Sequence, residues 1–357
     1  MDNFFRGKKI LVTGHTGFKG SWLTQILLRF GAEVVGVSLV PEDEHGLFSI
    51  LGLEQKTKNY FFDIRNFDGL KGIIAGERPE IVFHLAAQAL VRTSYDDPLT
   101  TYSTNVLGTA NVLQAVYEVG CIRSVVIITT DKVYKNLEWI YPYRENEALG
   151  GYDPYSASKA AADIVTQSYI QSFFNPADFG IKHQTLVAVA RAGNVIGGGD
   201  WAAHRLVPDI MRSVIEQKET VVIRSPHAVR PWEHVLEPLS GYLQLAERLY
   251  RGEQQFSDCW NFGPNDESFV EVEVVVKNIV ALLGRGAYRV EEDQSKHEAT
   301  LLKLDTTKAK ALLGWSPRLN FQKNIALTVA WYKNFYQKVE DPIVFTNAQI
   351  DTFFSER

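Results

Sequence analysis

The sequence has few cysteines, no excess of basic charge and no long apolar run, and each absence excludes a class of protein. Its 357 residues include only two cysteines, Cys121 and Cys259, which lie too far apart for a C-x-x-C motif. We therefore expect a reducing compartment, the cytoplasm, and no disulfide scaffold. The net charge of -5 argues against a nucleic-acid partner. No segment reaches the ~20 apolar residues that span a bilayer, so no membrane association is expected. The eight histidines show no metal-ligand spacing, which predicts no metal site.

What is present is a regular alternation of strand-length apolar runs and longer helical patterns. The runs are "KILVTG", "AEVVGVSL", "NYFFDI", "IVFHLA", "SVVIITT" and "TLVAVARAGNV", and several of them are apolar on both faces, as buried parallel strands require. The pattern predicts an α/β fold: a Rossmann-type, doubly wound parallel sheet over residues 1–195. The less regular remainder, residues 196–357, predicts a smaller α+β substrate domain interleaved with the first.

The first strand runs into "TGHTGFKGS", where Gly14, Gly17 and Gly20 have G-x-x-G-x-x-G spacing. Glycines at a strand-to-helix turn allow the backbone to approach a pyrophosphate, whose charge the helix N-terminus stabilises. The motif at the start of a βαβ pattern favours dinucleotide binding. The alternative is a tight turn with close helix packing.

The second and third strands end in residues that bear on the choice of dinucleotide. Ser38 stands where a ribose-binding acid is usual, and no Arg or Lys at positions 37–45 could hold a 2′-phosphate. NAD is therefore favoured over NADP. Asp63, which closes "NYFFDIR", is either an adenine contact or the N-cap of the following helix.

A tyrosine and a lysine lie one helical turn apart in "GGYDPYSASKAAADIV". Asp153 and Pro154 predict a helix start, which puts Tyr155 and Lys159 on one face. The ammonium, the helix N-terminus and an oxidised nicotinamide would each favour the phenolate of Tyr155, and so make it a proton acceptor. A solvated helix with no catalytic role is the alternative.

Four motifs in this order, "TGHTGFKGS", "HLAAQ", "TTDKVY" and "YSASK", resemble the extended short-chain dehydrogenase/reductase family over almost the whole chain. The resemblance implies a triad of Thr130, Tyr155 and Lys159. It also implies homodimers through a four-helix bundle of residues 98–120 and 153–174. The implied NAD contacts are Gly14, Thr16, Gly17, Phe18, Lys19, Gly20, Ser38, Asp63, Ile64, Leu85, Ala86, Ala87, Tyr155 and Lys159. The implied substrate contacts are Gln88, Asn194 and Arg230.

The residues after Thr130 divide this family by reaction. Asp131 and Lys132 resemble the 4,6-dehydratases that act on nucleotide sugars, and the lysine favours CDP-glucose as the substrate. The resemblance implies C4 oxidation, loss of water across C5 and C6, and hydride return to C6. In that scheme Lys132 is the base and Asp131 the acid, and burial would make both neutral. The alternative for this pair is a loop salt bridge.

Three rival functions remain open on the sequence alone. A nucleotide-sugar 4-epimerase shares every motif except the Asp-Lys pair. A 4,6-dehydratase acting on dTDP-glucose or GDP-mannose shares the other motifs, although such enzymes usually carry Glu at the position of Lys132. An inactive NAD-binding regulator would keep the glycine loop but would not need Tyr155, Lys159 and Thr130 together. Arg191, in "ARAGNV", is either a diphosphate contact or an ion-pair residue.

Overall fold

The computed structural model describes residues 2–41, 45–217, 219–291 and 301–355. Seven strands form one parallel sheet in the order β10-β6-β5-β4-β1-β2-β3. The strands are β1 Lys9–Thr13, β2 Glu33–Ser38, β3 Lys58–Phe61, β4 Ile81–His84, β5 Ser124–Ile128, β6 Leu186–Ala192, β7 Asn194–Ile196, β8 Val221–Ile223, β9 Val229–His234, β10 Cys259–Phe262, β11 Phe269–Glu271 and β12 Tyr288–Val290.

Helices connect these strands and cover both faces of the sheet. The α-helices are α1 Asp2–Phe5, α2 Phe18–Arg29, α3 Leu47–Ile50, α4 Phe67–Glu77, α5 Val91–Asp96, α6 Pro98–Tyr102, α7 Gly108–Val119, α8 Pro154–Ser172, α9 Leu206–Met211, α10 Leu236–Tyr250, α11 Val272–Leu283, α12 Phe321–Gln337 and α13 Pro342–Ser355. Short 3-10 turns cover Leu53–Gln55, Asp131–Val133, Pro176–Asp178, Gln254–Phe256 and Asp266–Ser268, and π-helical turns cover Ser103–Leu107, Arg212–Gln217 and Ala309–Leu313.

The sheet is buried on both faces, as its apolar strands predict. Along β1, Ile10 and Val12 pack into one apolar cluster while Leu11 packs into another, because successive side chains of a strand point to opposite faces. All six predicted strands are present and parallel. The predicted Rossmann-type fold is confirmed.

The helix boundaries follow the capping signals of the sequence. The side chain of Asp153 accepts a hydrogen bond from the amide of Ser156 and caps α8, with Pro154 in the first turn. The predicted helix over residues 98–120 is present as α6 and α7, joined through the π-helical turn and ended by Gly120. Among the described residues, no helix is long and apolar enough to cross a membrane.

Two features after residue 185 differ from the sequence pattern. The predicted strand "TLVAVARAGNV" is broken at Gly193, and its second part, β7, pairs with β9 in a separate three-stranded sheet. The break follows from a close approach, since a Cβ atom on Gly193 would lie 2.6 Å from Cγ of Pro231. In addition, β10 joins the main sheet beside β6 rather than the smaller C-terminal part.

Candidate active site

The glycine loop has the geometry of a phosphate site. Gly14 has a φ of +74°, and a Cβ atom there would lie 2.7 Å from the backbone nitrogen of Ala86, so only glycine fits. Gly20 packs against the carbonyl of Gly14. Gly17 is the exposed N-cap of α2, and no side chain caps this helix end. The first N–H groups of α2 are therefore available to an anionic group, as a pyrophosphate would require.

The ends of β2 and β3 border this loop. The hydroxyl oxygens of Thr16 and Ser38 lie 2.7 Å apart in a hydrogen bond, so the predicted ribose contact is tied to the glycine loop. Asp63 is not a helix cap: its carboxylate accepts hydrogen bonds from the side chain and amide of Arg65, and its pKa is lowered chiefly by the Arg65 side chain. Asn66 caps α4 instead, because its side chain is the one that reaches the amide of Gly69.

The segment after β4 lies directly beside the glycine loop. The amides of Leu85 and Ala86 donate to the carbonyl and hydroxyl oxygens of Thr13, which holds residues 85–87 against Gly14. Ile64, also a predicted cofactor contact, is buried and packs near Gly108.

Gln88, a predicted substrate contact, is hydrogen-bonded to the turn that follows it and to α6. Its amide nitrogen donates to the carbonyl of Leu90 and to the hydroxyl of Thr101, and its amide oxygen accepts from the amide of Leu90. Both hydrogens of the side-chain amide are therefore used, and Gln88 shapes the turn that follows Ala87.

An acid and an amine follow the carboxyl end of β5. Thr130 donates to Oδ1 of Asp131 at 2.9 Å, while Oδ2 of Asp131 has no hydrogen-bond partner in the described part of the chain. Asp131 is 1% exposed, and burial raises the pKa of its carboxyl group, in the predicted direction. Lys132 is half-buried, so its amine is less enclosed than predicted. No salt bridge joins these two described residues, which argues against a merely structural loop ion pair.

The first two turns of α8 bring Tyr155 and Lys159 to the same strand end. The hydroxyl of Tyr155 is hydrogen-bonded to Thr130, and the ammonium of Lys159 donates to the carbonyl of Ile128 at 2.8 Å. Burial raises the pKa of Tyr155 to about 12 and lowers that of Lys159 to about 8. The Tyr155 shift is opposite to the predicted direction, because in the protein alone burial outweighs the nearby donors.

The remaining predicted residues flank this strand end. Asn194 is half-buried on β7, opposite Trp232 of β9. Arg230, on β9, is close enough to Asp131 to lower that carboxyl group's pKa. Arg191 is an ion-pair residue rather than a diphosphate contact: it is 0% exposed and binds Asp163 through two hydrogen bonds of 2.8 and 2.9 Å.

Two charged residues at this site, Glu233 and Arg205, do not emerge from the sequence patterns, and Lys19, a predicted NAD contact, lies near both. Burial lowers the pKa of the Lys19 side chain to about 8, and Glu233 is the charged group with the largest effect on this pKa. Glu233, on β9, is 0% exposed. Arg205 pairs with Asp200 at 3.0 Å and lies near Tyr155. The signal available for Glu233 is an acid within the otherwise uncharged "PWEHVL", which a buried strand does not normally contain.

Comparison with known proteins agrees with this geometry. The family model described as GDP-mannose 4,6 dehydratase matches residues 11–328. The chain belongs to this family. Among the described residues, no three His, Cys, Asp or Glu side chains are grouped as metal ligands.

The relatives of the family that resemble this chain include both dehydratases and epimerases. The chain is 49% identical over 354 residues to the CDP-glucose 4,6-dehydratase of Salmonella typhimurium, covering 99% of this chain and 98% of the relative. It is 25% identical to the UDP-glucose 4-epimerase of Mycoplasma pneumoniae, over 93% of this chain and 98% of the relative. The dTDP-glucose 4,6-dehydratase of Streptomyces venezuelae, solved with NAD, has a TM-score of 0.79 at 22% identity, covering 94% of this chain and 99% of that one. The family model and the 49% identity confirm the predicted resemblance to the nucleotide-sugar 4,6-dehydratases.

Proposed function

We propose that this protein is an NAD-dependent 4,6-dehydratase that converts CDP-D-glucose to CDP-4-keto-6-deoxy-D-glucose. The observation that carries the proposal is the buried, partly unpartnered acid Asp131 followed by Lys132, directly beside the hydrogen-bonded pair of Thr130 and Tyr155. An epimerase needs the pair of Thr130 and Tyr155 but has no use for a second acid and base. The 49% identity to a CDP-glucose 4,6-dehydratase supports the same reaction and the same nucleotide.

The residues around the glycine loop fit NAD. The uncapped N-terminus of α2 can bind the pyrophosphate, and Ser38 can bind one ribose hydroxyl. The segments that contain Asp63, Ile64 and residues 85–87 adjoin this loop and would contact the rest of the cofactor. When bound, NAD supplies the acceptor for the C4 hydride and the donor of the hydride to C6.

Tyr155 removes the proton of the C4 hydroxyl group. Its pKa of about 12 in the protein alone must fall when substrate and cofactor bind, and the positive charges of Arg205 and of an oxidised nicotinamide favour the phenolate. Lys159 donates to the carbonyl of Ile128 and so holds α8 against the end of β5. The lysine therefore both positions the phenol and adds positive charge beneath it.

Asp131 and Lys132 carry out the elimination. A ketone at C4 makes the C5 proton acidic, and Lys132 removes it while Asp131 protonates the departing C6 oxygen. Burial supports the role of Asp131 as the acid, because desolvation disfavours its carboxylate form. Lys132 is half-buried in the protein alone, and the sugar would cover it further.

The substrate diphosphate and sugar fit the surface between β7 and β9. Arg230 can bind diphosphate oxygens through its planar guanidinium group, and the side-chain amide of Asn194 can donate to the same groups. Gln88, whose amide hydrogens are used in its own turn, would contact the sugar through the remaining acceptor site of its oxygen.

The proposal is tested by incubating the protein with NAD and CDP-, dTDP-, UDP- or GDP-sugars in heavy water, followed by mass spectrometry. We expect CDP-glucose to lose one water and to gain solvent deuterium at C5. Loss of water from a different nucleotide sugar would keep the reaction and correct the substrate. A product of unchanged mass would identify a 4-epimerase. Cofactor binding without turnover of any sugar would identify an inactive NAD-binding regulator.

We further propose that two chains form a homodimer through α6, α7 and α8. Large apolar side chains are exposed on these helices, including Leu99, Leu107 and Ile164 at 80, 60 and 55%. Burying them in a four-helix bundle would remove this apolar surface from water. The two free cysteines fit a cytoplasmic location for this dimer.

The dimer is tested by Ile164→Lys, which places a charge in the proposed bundle. Light scattering after gel filtration should give twice the chain mass for the original protein and a large monomer fraction for the variant. Ile181→Lys is the matched control, since Ile181 is 81% exposed but lies outside these helices. A monomeric original protein, or equal dissociation of both variants, would rule out this interface.

A further inference from the structure

Glu233 is a buried acid that the dehydration scheme above does not use. It is 0% exposed. The amide of Gly193 approaches its carboxyl group, and no side chain among the described residues forms a hydrogen bond with it. Buried polar groups are nearly always hydrogen-bonded, because an unpaired one destabilises the fold. A carboxyl group kept in such a place calls for a role other than packing.

The backbone brings Glu233 to the same place as Asp131. Pro231 and Glu233 are two residues apart on β9 and therefore share one face of the strand. Gly193 lies against this face, and a Cβ atom there would be 2.6 Å from Cγ of Pro231 and 3.4 Å from Oδ2 of Asp131. That oxygen of Asp131 is also buried without a partner. Two incompletely paired carboxyl groups thus border the same glycine.

Charged groups from several elements surround Glu233. Burial raises its pKa well above the ordinary value; Lys19 and the amide of Gly193 oppose the rise, and Glu237 and Asp131 add to it. The negative charge of Glu233 also contributes to the raised pKa of the Tyr242 hydroxyl group. The facing groups are Lys19 on α2, Asp131 after β5, the amide of Gly193, and Glu237 and Tyr242 on α10, with Arg205 and Asp200 beyond Lys19. Its strand neighbour His234 is buried, and burial lowers its pKa to about 3, so it is neutral.

Two carboxyl groups in one buried site cannot both ionise easily, so they titrate as a pair. We propose that Glu233 is a positioning residue for the elimination step: through the repulsion of their charges the two acids hold one proton between them beside Lys19, and this keeps Asp131 able to protonate the C6 oxygen at neutral pH. The inference rests on the proposed dehydration. It also gives Lys19 a role, because the positive charge of Lys19 balances the single negative charge of the two carboxyl groups.

The proton balance of the elimination fits this arrangement. The O–H bond of Asp131 breaks and its proton goes to the C6 oxygen, which leaves as water with the C6–O electron pair. The C5 proton goes to Lys132, and the electrons of the C5–H bond form the C5–C6 double bond. As the hydride enters C6, Lys132 gives a proton to C5. The pair holds two carboxylates beside Lys19 until the proton that Tyr155 took from the C4 hydroxyl reaches it through solvent. Over one turnover the number of protons on the protein is unchanged.

The test is Glu233→Gln, which keeps the shape of the side chain and removes its charge. Activity falls at high pH as Asp131 loses its proton. Without the negative charge of Glu233, the positive charge of Lys19 favours the ionised form of Asp131 and lowers the pKa of that carboxyl group. The falling limb of kcat should therefore move to lower pH by about 1 unit. KM for CDP-glucose should stay unchanged. Glu233→Asp should return the falling limb most of the way to its original pH, because it restores the negative charge.

The matched control is Glu237→Gln on α10. Glu237 is buried nearby, but one of its oxygens accepts hydrogen bonds from the amides of Arg318 and Leu319, which is a structural role. This variant should lower stability and move the pH limb less than Glu233→Gln does. The proposal would be overturned if the falling limb of Glu233→Gln occurred at the same pH as that of the original protein. A uniform loss of activity without a shift in pH would also overturn it.

An infrared readout separates failure of this inference from failure of the proposed function. In the original protein, without substrate, the band of protonated carboxyl groups should persist at neutral pH and should weaken in Glu233→Gln. The absence of such a band would overturn the inference even if dehydration occurs. If the protein turns over no nucleotide sugar, the proposed function fails, while the band still reports whether the two acids share a proton.

Discussion

Replacing Lys132 by alanine is expected to slow the loss of water by about 10²- to 10⁴-fold, the usual contribution of a general acid or base. Removal of the C5 proton needs a base beside the sugar, and the amine of Lys132 directly follows the acid Asp131 at the end of β5. Oxidation at C4 depends on Tyr155 and Thr130 instead, so it should continue. The variant should accumulate a 4-keto sugar that still carries its C6 hydroxyl. Trapping with borodeuteride and mass spectrometry would identify it by deuterium at C4.

The matched control is Lys135→Ala, which removes the same charge three residues later from an exposed side chain. It should dehydrate CDP-glucose at the original rate. If Lys132→Ala also dehydrates at the original rate, with solvent deuterium still entering C5, Lys132 is not the required base. If it instead fails to oxidise C4 at all, Lys132 acts in substrate positioning rather than in the elimination.

The regular parts of the fold could be predicted because local pattern and tertiary structure agree there. A strand buried on both faces must be mainly apolar, and β1, β4 and β5 are apolar at all but their end residues. Helix ends were predictable for the same reason, since Asp153 and Pro154 supply a local cap. The break at Gly193 was not, because it results from contact with Pro231, 38 residues further along the chain. Likewise, the pairing of β10 with β6 depends on contacts that no local pattern encodes.

The candidate site divides in the same way. The motifs predict one strand end, with Thr130 and Asp131, and one helix face, with Tyr155 and Lys159. The structure brings these four residues together. Glu233 and Arg205 reach the site from elements after residue 196, where the sequence pattern is irregular. Burial explains the remaining difference, the raised pKa of Tyr155, because a sequence motif does not report how much solvent a phenol loses.

Replacing Asp163 by alanine is expected to lower the free energy of unfolding by about 3–5 kcal/mol, because it leaves the charge of Arg191 buried without a partner. Both side chains are 0% exposed. The carboxylate of Asp163 also accepts hydrogen bonds from Thr129 and Gln167, and Arg191 donates to the hydroxyl of Tyr134. Urea unfolding followed by circular dichroism would measure the loss. Asp178→Ala is the control, since its ion pair with Lys182 lies at the surface and should be worth less than about 1 kcal/mol.

This ion pair also bears on the site, because it joins α8 to β6 and so fixes the helix that carries Tyr155 and Lys159. Asp163→Ala should therefore reduce activity as well as stability. The double change Asp163→Leu with Arg191→Met removes both charges and keeps most of the volume, so it should recover much of the lost stability. Equal destabilisation by the single and the double change would show that hydrogen bonds, rather than the unpaired charge, account for the loss. A single change no more harmful than Asp178→Ala would show that the buried pair contributes little to holding α8 in place.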